Sequence, residues 1–101
     1  MTLSTGALRP SRIQREARLE ARVPVYSDNG PIDPDHLPQF AFTTGTTRPA
    51  TWKTGRWDGT TAETPTIGQT VTLTVGTHQV WLKVNHDGQT PVLPVGRITI
   101  E

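Results

Sequence analysis

At 101 residues the chain can build one hydrophobic core, since a domain of this size buries about two-thirds of the surface its unfolded form exposes. It has no cysteine, which excludes disulfides and thiolate-held metal. No apolar run approaches the roughly 20 residues of a membrane span or the apolar stretch of a secretory signal, so a soluble protein made inside a cell is expected. The formal charge is +1, but residues 1–22 hold Arg9, Arg12, Arg15, Arg18 and Arg22 against Glu16 and Glu20, a net +3 that leaves −2 for the remainder. Such asymmetry suits a basic segment that docks on an acidic surface, a neighbouring copy included; the plain alternative is a solvated charged face.

Threonine, glycine and proline are abundant and leucine and alanine sparse, a bias toward strands and turns. Residues 1–16 read as a basic N-terminal arm, and residues 17–101 as the folded domain. Near the junction two patterns compete. Ser11 with Gln14 resembles a capping box and Ile13, Ala17 and Ala21 fall at helical spacing, allowing a helix from Arg12 to Ala21. Ala17, Leu19, Ala21, Val23 and Val25 also alternate strictly with polar neighbours, which favours a strand from Ala17 to Tyr26, with Pro24 at an edge or bend where its missing N–H is harmless.

Ser27 to Pro38 is dense in turn residues and reads as loop. Gln39 to Thr44 returns to alternation, with Phe40 and Phe42 on one face. Trp52 and Trp57 flank a corner at Thr54-Gly55, where core and rim packing is the usual role for two such large rings. A weak strand is expected from Thr60 to Ile67, ending at Gly68, and a cleaner one from Thr70 to Val75, with Val71, Leu73 and Val75 on one side. After Gly76, residues His78, Val80, Leu82 and Val84 point one way and Gln79, Trp81 and Lys83 the other, the clearest strand signal in the chain. Asp87-Gly88 is a strong turn signal, and Ile98 and Ile100 close the chain as inward residues of a last strand. Short strands between turn clusters indicate a sandwich or barrel.

The series Leu73, Gly76, His78, Val80, Leu82 resembles the approach to the penultimate strand of immunoglobulin-like and fibronectin-like sandwiches, with His78 where a corner tyrosine usually sits. A histidine there can still give one ring hydrogen bond to the backbone. Over residues 22–100, "RVPVY", "DP", "FAF", "WKTGRW", "GTHQVWLKV" and "PVLPVGRITI" resemble, in the same order, motifs of small β-sandwich structural proteins of actinobacterial tailed phages and prophages. The resemblance implies an all-β, immunoglobulin-like sandwich with an extended N-terminal arm. It also implies a non-enzymatic virion component, synthesised in the host cytoplasm and placed at the head or the head–tail junction.

Other chemistry has weaker support. Asp33, Asp35 and His36 in one loop and His86 with Asp87 in another lack the convergent spacing of a zinc site or the acidic repeat of a calcium loop, and turn formation explains them. Ser4, Ser11 and Ser27 lack a nucleophile elbow, and no phosphate-cradling glycine motif occurs. No catalytic residue, cofactor, metal, membrane or small-molecule substrate is therefore expected. Arginines at intervals of three could meet phosphates, but no aromatic is interleaved and two glutamates dilute the row, so protein docking is favoured over nucleic acid.

The expected interface comprises Arg9, Arg12, Arg15 and Arg18 with Ile13 and Leu19 as apolar anchors, plus Trp81, whose outward indole needs cover from a neighbouring subunit or from the N-terminal strand. The partner is the major capsid protein, copies of this chain, or both. The leading expectation is a decoration or cement protein bound to the head surface through an arm whose removal spares the fold. Alternatives are a head–tail connector or tail ring, and a carbohydrate-binding module with Trp52 and Trp57 as its stacking platform.

Overall fold

The computed structural model describes residues 3–27, 35–45, 47–49, 51–85 and 88–101. Among these residues nine strands follow in chain order: β1 (Leu3–Thr5), β2 (Arg12–Ile13), β3 (Arg22–Ser27), β4 (Gln39–Thr43), β5 (Lys53–Thr54), β6 (Arg56–Asp58), β7 (Thr61–Glu63), β8 (Gly76–Lys83) and β9 (Val92–Ile100). They form a four-stranded sheet, β1-β3-β7-β6, and a five-stranded sheet, β2-β9-β8-β4-β5. The chain is all-β and sandwich-like, with no helix among the described residues, so the helical option for Arg12–Ala21 is set aside.

The alternation from His78 to Val84 becomes β8 and the residue after it. His78, Val80, Leu82 and Val84 are buried, and Gln79, Trp81 and Lys83 lie on the outer side. β8 pairs with β4 on one side, where Phe40 faces Leu82 and Ala41 faces Trp81, and with β9 on the other. The β8–β9 register slips by one residue, since Val80 faces Gly96 whereas Trp81 faces Pro94. Val95 is the extra residue of a bulge, which reverses the facing of β9: the inward residues are Leu93 and Val95 up to the bulge, and Ile98 and Ile100 beyond it.

From the other sheet, Val23, Val25 and Ala62 meet these side chains in one core. The strand expected from Ala17 to Tyr26 begins only at Arg22 and ends at Ser27. Its ladder with β7 fails below Arg22 because the Thr64 hydroxyl, not a carbonyl, takes the Ala21 N–H at 2.9 Å, and Pro65 next to it has no N–H to give. Pairing returns only as a single bridge, Leu19 to Ile67.

Pro24 lies inside the sheet and not at an edge, since β3 is flanked by β1 and β7. The ring is tolerated because β1 has ended at Thr5. Gly6 lies opposite, its N–H donating to the Pro24 carbonyl at 2.9 Å, and a Cβ on that glycine would stand 2.7 Å from the Pro24 ring.

Thr70–Val75 is not a strand. Its start is consumed by a tight turn in which the N–H groups of Thr70 and Val71 both reach the Thr66 carbonyl, and the Gly68 N–H reaches Val71. Val71 is buried nonetheless, whereas Val75 is 60% exposed. The corner at Gly55 carries the chain from one sheet to the other, β5 lying in the five-stranded sheet and β6 in the four-stranded one. A side chain at Gly55 would collide with the Glu63 carbonyl and press on the Phe40 ring.

Candidate docking surface

The N-terminal segment is stitched into the body. β1 pairs antiparallel with β3, and β2 pairs parallel with β9, Arg12 opposite Thr99 and Ile13 opposite Ile100. Between them the Arg9 and Arg22 backbones exchange hydrogen bonds at 2.9 and 2.7 Å. Beyond β2 the Arg15 N–H donates to the Glu101 carbonyl at 3.0 Å, and Leu19 and Ile67 bond reciprocally at 3.2 and 2.8 Å. Residues 3–19 therefore run as a strap along the seam, from the four-stranded sheet to the five-stranded one and back. Leu8 and Ile13, at 7% and 3% exposure, are turned into the core.

This arrangement sorts the residues expected to form the interface. Arg9, Arg12, Arg15 and Arg18 are all exposed on the strap. Ile13 is corrected: it is a core residue, held there by pairing with β9, and no partner can use it as an anchor. Leu19 is half-buried against the same core. The arm is likewise corrected from a detachable extension to a source of two edge strands and two core residues. Among the described residues only Arg15 of the four has an ion pair, to Glu16 at 3.6 Å with both side chains well exposed.

Trp81 lies apart from the strap, on the outer face of the five-stranded sheet, where β9 separates β8 from β2. It is half-buried, and the N-terminal strands do not cover it: β1 belongs to the other sheet and β2 borders β9. Instead the indole Nε1–H donates across to the Thr43 hydroxyl at 2.8 Å, and the ring's own strand faces Ala41. Ala41 and Thr43 consequently fall to 1% and 8% exposure although both point outward. Trp52 reaches the same face, with the Lys83 ammonium 4.4 Å from the centre of its ring.

Trp57 sits on β6 in the other sheet, packs against the core and gives its indole N–H to the His36 carbonyl at 2.9 Å. Trp52 and Trp57 thus share no face, and the stacking platform that a carbohydrate-binding reading required is not formed.

The outer side of the four-stranded sheet holds a charge cluster that the sequence did not single out. Cross-strand register brings Arg22 of β3 and Arg56 of β6 to either side of Glu63 on β7. Arg56 Nε donates to Glu63 Oε1 at 2.6 Å, and its outer nitrogen lies 2.7 Å from Glu20 Oε2. Arg22 Nε is 2.6 Å from Glu63 Oε2, but outside hydrogen-bond alignment, so that oxygen is compensated by charge alone. The Glu63 hydrogen bond first, then the charges of Glu20 and Glu63, raise the Arg56 pKa above its ordinary value. Both arginines are neutralised on the spot, which makes this cluster a strand-pairing device.

His78, buried in the sandwich, bonds through Nε2 to the Thr74 carbonyl at 2.8 Å. A carbonyl can only accept, so Nε2 carries the hydrogen, and the ring gives the one hydrogen bond to the backbone that was expected of it.

Asp35 and His36 are exposed beside an open cleft of about 420 Å³ that also touches Lys83 and Asn85. Asp33, His86 and Asp87 lie outside the described residues. Among the described residues no group of three or more His, Asp or Glu side chains is placed to hold a metal ion, and no helix is long and apolar enough to cross a membrane. No protein-family model, curated protein or solved structure matches this chain.

Proposed function

We propose that this protein is a non-enzymatic structural component of a tailed-phage virion, an immunoglobulin-like sandwich that decorates or cements the head by docking on the major capsid protein. The observation that carries the docking is the strap. Its apolar residues Leu8 and Ile13 are turned into the core, while Arg9, Arg12, Arg15 and Arg18 stand exposed along it. A row of cations held on paired backbone loses little chain entropy when it meets an acidic surface, so each weak contact contributes more to binding than it would from a free arm. In a symmetric shell many such copies act together.

The virion setting rests on the motif resemblance over residues 22–100. The immunoglobulin-like reading is supported by strand order. In chain order, β1, β3, β6 and β7 fill the places of strands A, B, D and E, and β4, β8 and β9 those of C, F and G, with β5 beside β4 as in the variable type. The histidine corner before β8 supports it further.

The test is occupancy of purified capsids by the triple variant Arg12→Glu, Arg15→Glu and Arg18→Glu, which changes exposed residues only. Loss of attachment with an unchanged circular dichroism spectrum is expected, and full occupancy would remove the strap from the mechanism. Copy number by mass spectrometry separates the neighbouring reading: hundreds per particle fit decoration, whereas about six or twelve fit a cyclic ring at the head–tail junction or in the tail.

A further inference from the structure

The two outer faces of the sandwich treat their charges differently. On the four-stranded face Arg22 and Arg56 are each matched to a carboxylate. On the five-stranded face Arg12, Arg97 and Lys83 have no ion pair with any described residue, and Lys83 is parked on the Trp52 ring. Glu101, directly after β9, is brought to this face by the β9 alternation. Among the described residues the face thus carries three cations, with Glu101 by β9 and Asp35 across the cleft at the Lys83 end as its carboxylates.

Between the cations runs an apolar band, perpendicular to the strands. Register places Pro94 on β9 opposite Trp81 on β8, and Trp81 opposite Ala41 on β4, and Trp52 directly precedes β5, the edge strand beyond β4. Three strand spacings make this band ~14 Å long. Val92, 43% exposed, extends it beside Lys83. Gln79 contributes no free amide donor, since its Nε2 is bonded to the Gly96 and Val80 carbonyls at 2.7 and 3.2 Å. A closed apolar centre with aromatic anchors and a rim of arginine is the anatomy of a protein interface.

We propose that this face, centred on Trp81 and rimmed by Arg12, Arg97 and Lys83, docks an acidic protein surface. The inference rests on the docking reading above and extends it from the strap, through Arg12, onto the sheet. Protein is favoured over sugar or single-stranded nucleic acid because both of those need open indole faces for stacking. Here Trp81 is half-buried and one face of Trp52 is spent on Lys83. Cations without an ion pair to any described residue, set around an apolar centre, call instead for carboxylates around an apolar side chain.

The experiment titrates the full chain with a glutamate–tyrosine copolymer, polyglutamate, an oligothymidine and a neutral maltodextrin, reading the three indole N–H signals by NMR. The copolymer is expected to move Trp81 and Trp52 and leave Trp57 still, and to bind more tightly than polyglutamate because only it offers a ring to the band. Trp81→Ala is expected to weaken copolymer binding about tenfold. Arg97→Glu should weaken it by a similar factor, while Arg48→Glu, the same charge change on an exposed loop residue, has a small effect.

Equal losses for Arg97→Glu and Arg48→Glu, silent Trp81 and Trp52 signals, or tighter binding of oligothymidine or maltodextrin would each overturn the proposal. The capsid assay fails independently. Copolymer binding without capsid occupancy supports the face and removes the virion setting, whereas capsid occupancy with both indoles silent removes the face alone.

Discussion

Leu8 packs onto the bare backbone of Gly96, so closely that a Cβ on that glycine would stand 3.2 Å from the Leu8 Cβ. Gly96 has a φ of +145°, a conformation that side-chain-bearing residues rarely adopt, and it sits in the bulge that re-aims β9. Strap and bulge are thus one packing unit. Leu8→Ala should destabilise the fold by about 2–5 kcal/mol, as other buried leucine truncations do. Deleting residues 1–16 should abolish a cooperative urea transition, because β1, β2 and two core side chains leave together. A deletion variant that unfolds with the full chain's midpoint would refute the strap.

Thr64 and Ala21 are joined twice, the Thr64 N–H donating to the Ala21 carbonyl and the Thr64 hydroxyl accepting the Ala21 N–H, both at 2.9 Å. Both residues are fully buried, so no water stands ready to replace the hydroxyl. Thr64→Val keeps the shape and strands the Ala21 N–H, which should cost about 1–3 kcal/mol. Thr64→Ser, which retains the oxygen, should recover part of the loss. A valine variant that keeps the wild-type urea midpoint while the serine variant falls below it would show that the methyl group, and not the bond, matters.

What could be read in advance follows a physical division. The face of β8 was legible because the seven residues from His78 to Val84 alternate without a break, and local alternation is what one-sided burial imposes. The threonine-rich run from Thr70 to Val75 alternates as well, but its Val71 backbone is bonded into the turn from Thr66, a competition that no side-chain pattern reports. The strap was illegible for a different reason. Leu8, Ile13 and Leu19 recur at no strand or helix period, and β2 is two residues long, held by a parallel partner at the far end of the chain.

Of the candidate surface, the outward aim of Trp81 and the exposure of the four strap arginines were visible in the pattern. Ile13 was not assignable, since one apolar residue between Arg12 and Gln14 fits a core or a contact equally well. Nor was the grouping of Trp81 with Trp52 and Pro94, or of Glu63 with Arg22 and Arg56. Those neighbours are assembled by strand register, which depends on which strands pair.

Glu63 is 2% exposed, yet the two arginines against it are largely in solvent. Its loss frees both guanidinium groups to hydrate, so the cost is the lost charge-assisted bonding and not an orphaned buried cation. Glu63→Ala should therefore lower stability by about 1–3 kcal/mol. Arg22→Ala should be costly in the wild-type chain and nearly neutral once Glu63 is alanine. A double-mutant cycle with no coupling between the two would show that their proximity is not energetic.

The bond from His78 to Thr74 spans the turn into β8, where Gly76 holds a φ of +129° and the chain reverses toward the core. The ring does two jobs there, filling space under the sheet and tying the turn, and they can be separated by substitution. His78→Phe keeps the filling and loses the tie. Thr74 is exposed and water can satisfy its carbonyl, so the expected cost is only about 0.5–1.5 kcal/mol. His78→Tyr carries a hydroxyl that can reach a carbonyl upstream, as in tyrosine corners, and should lose less. Urea midpoints at an unchanged slope measure both. Equal losses for phenylalanine and tyrosine would show that the tie contributes nothing and that packing alone keeps a histidine at this corner.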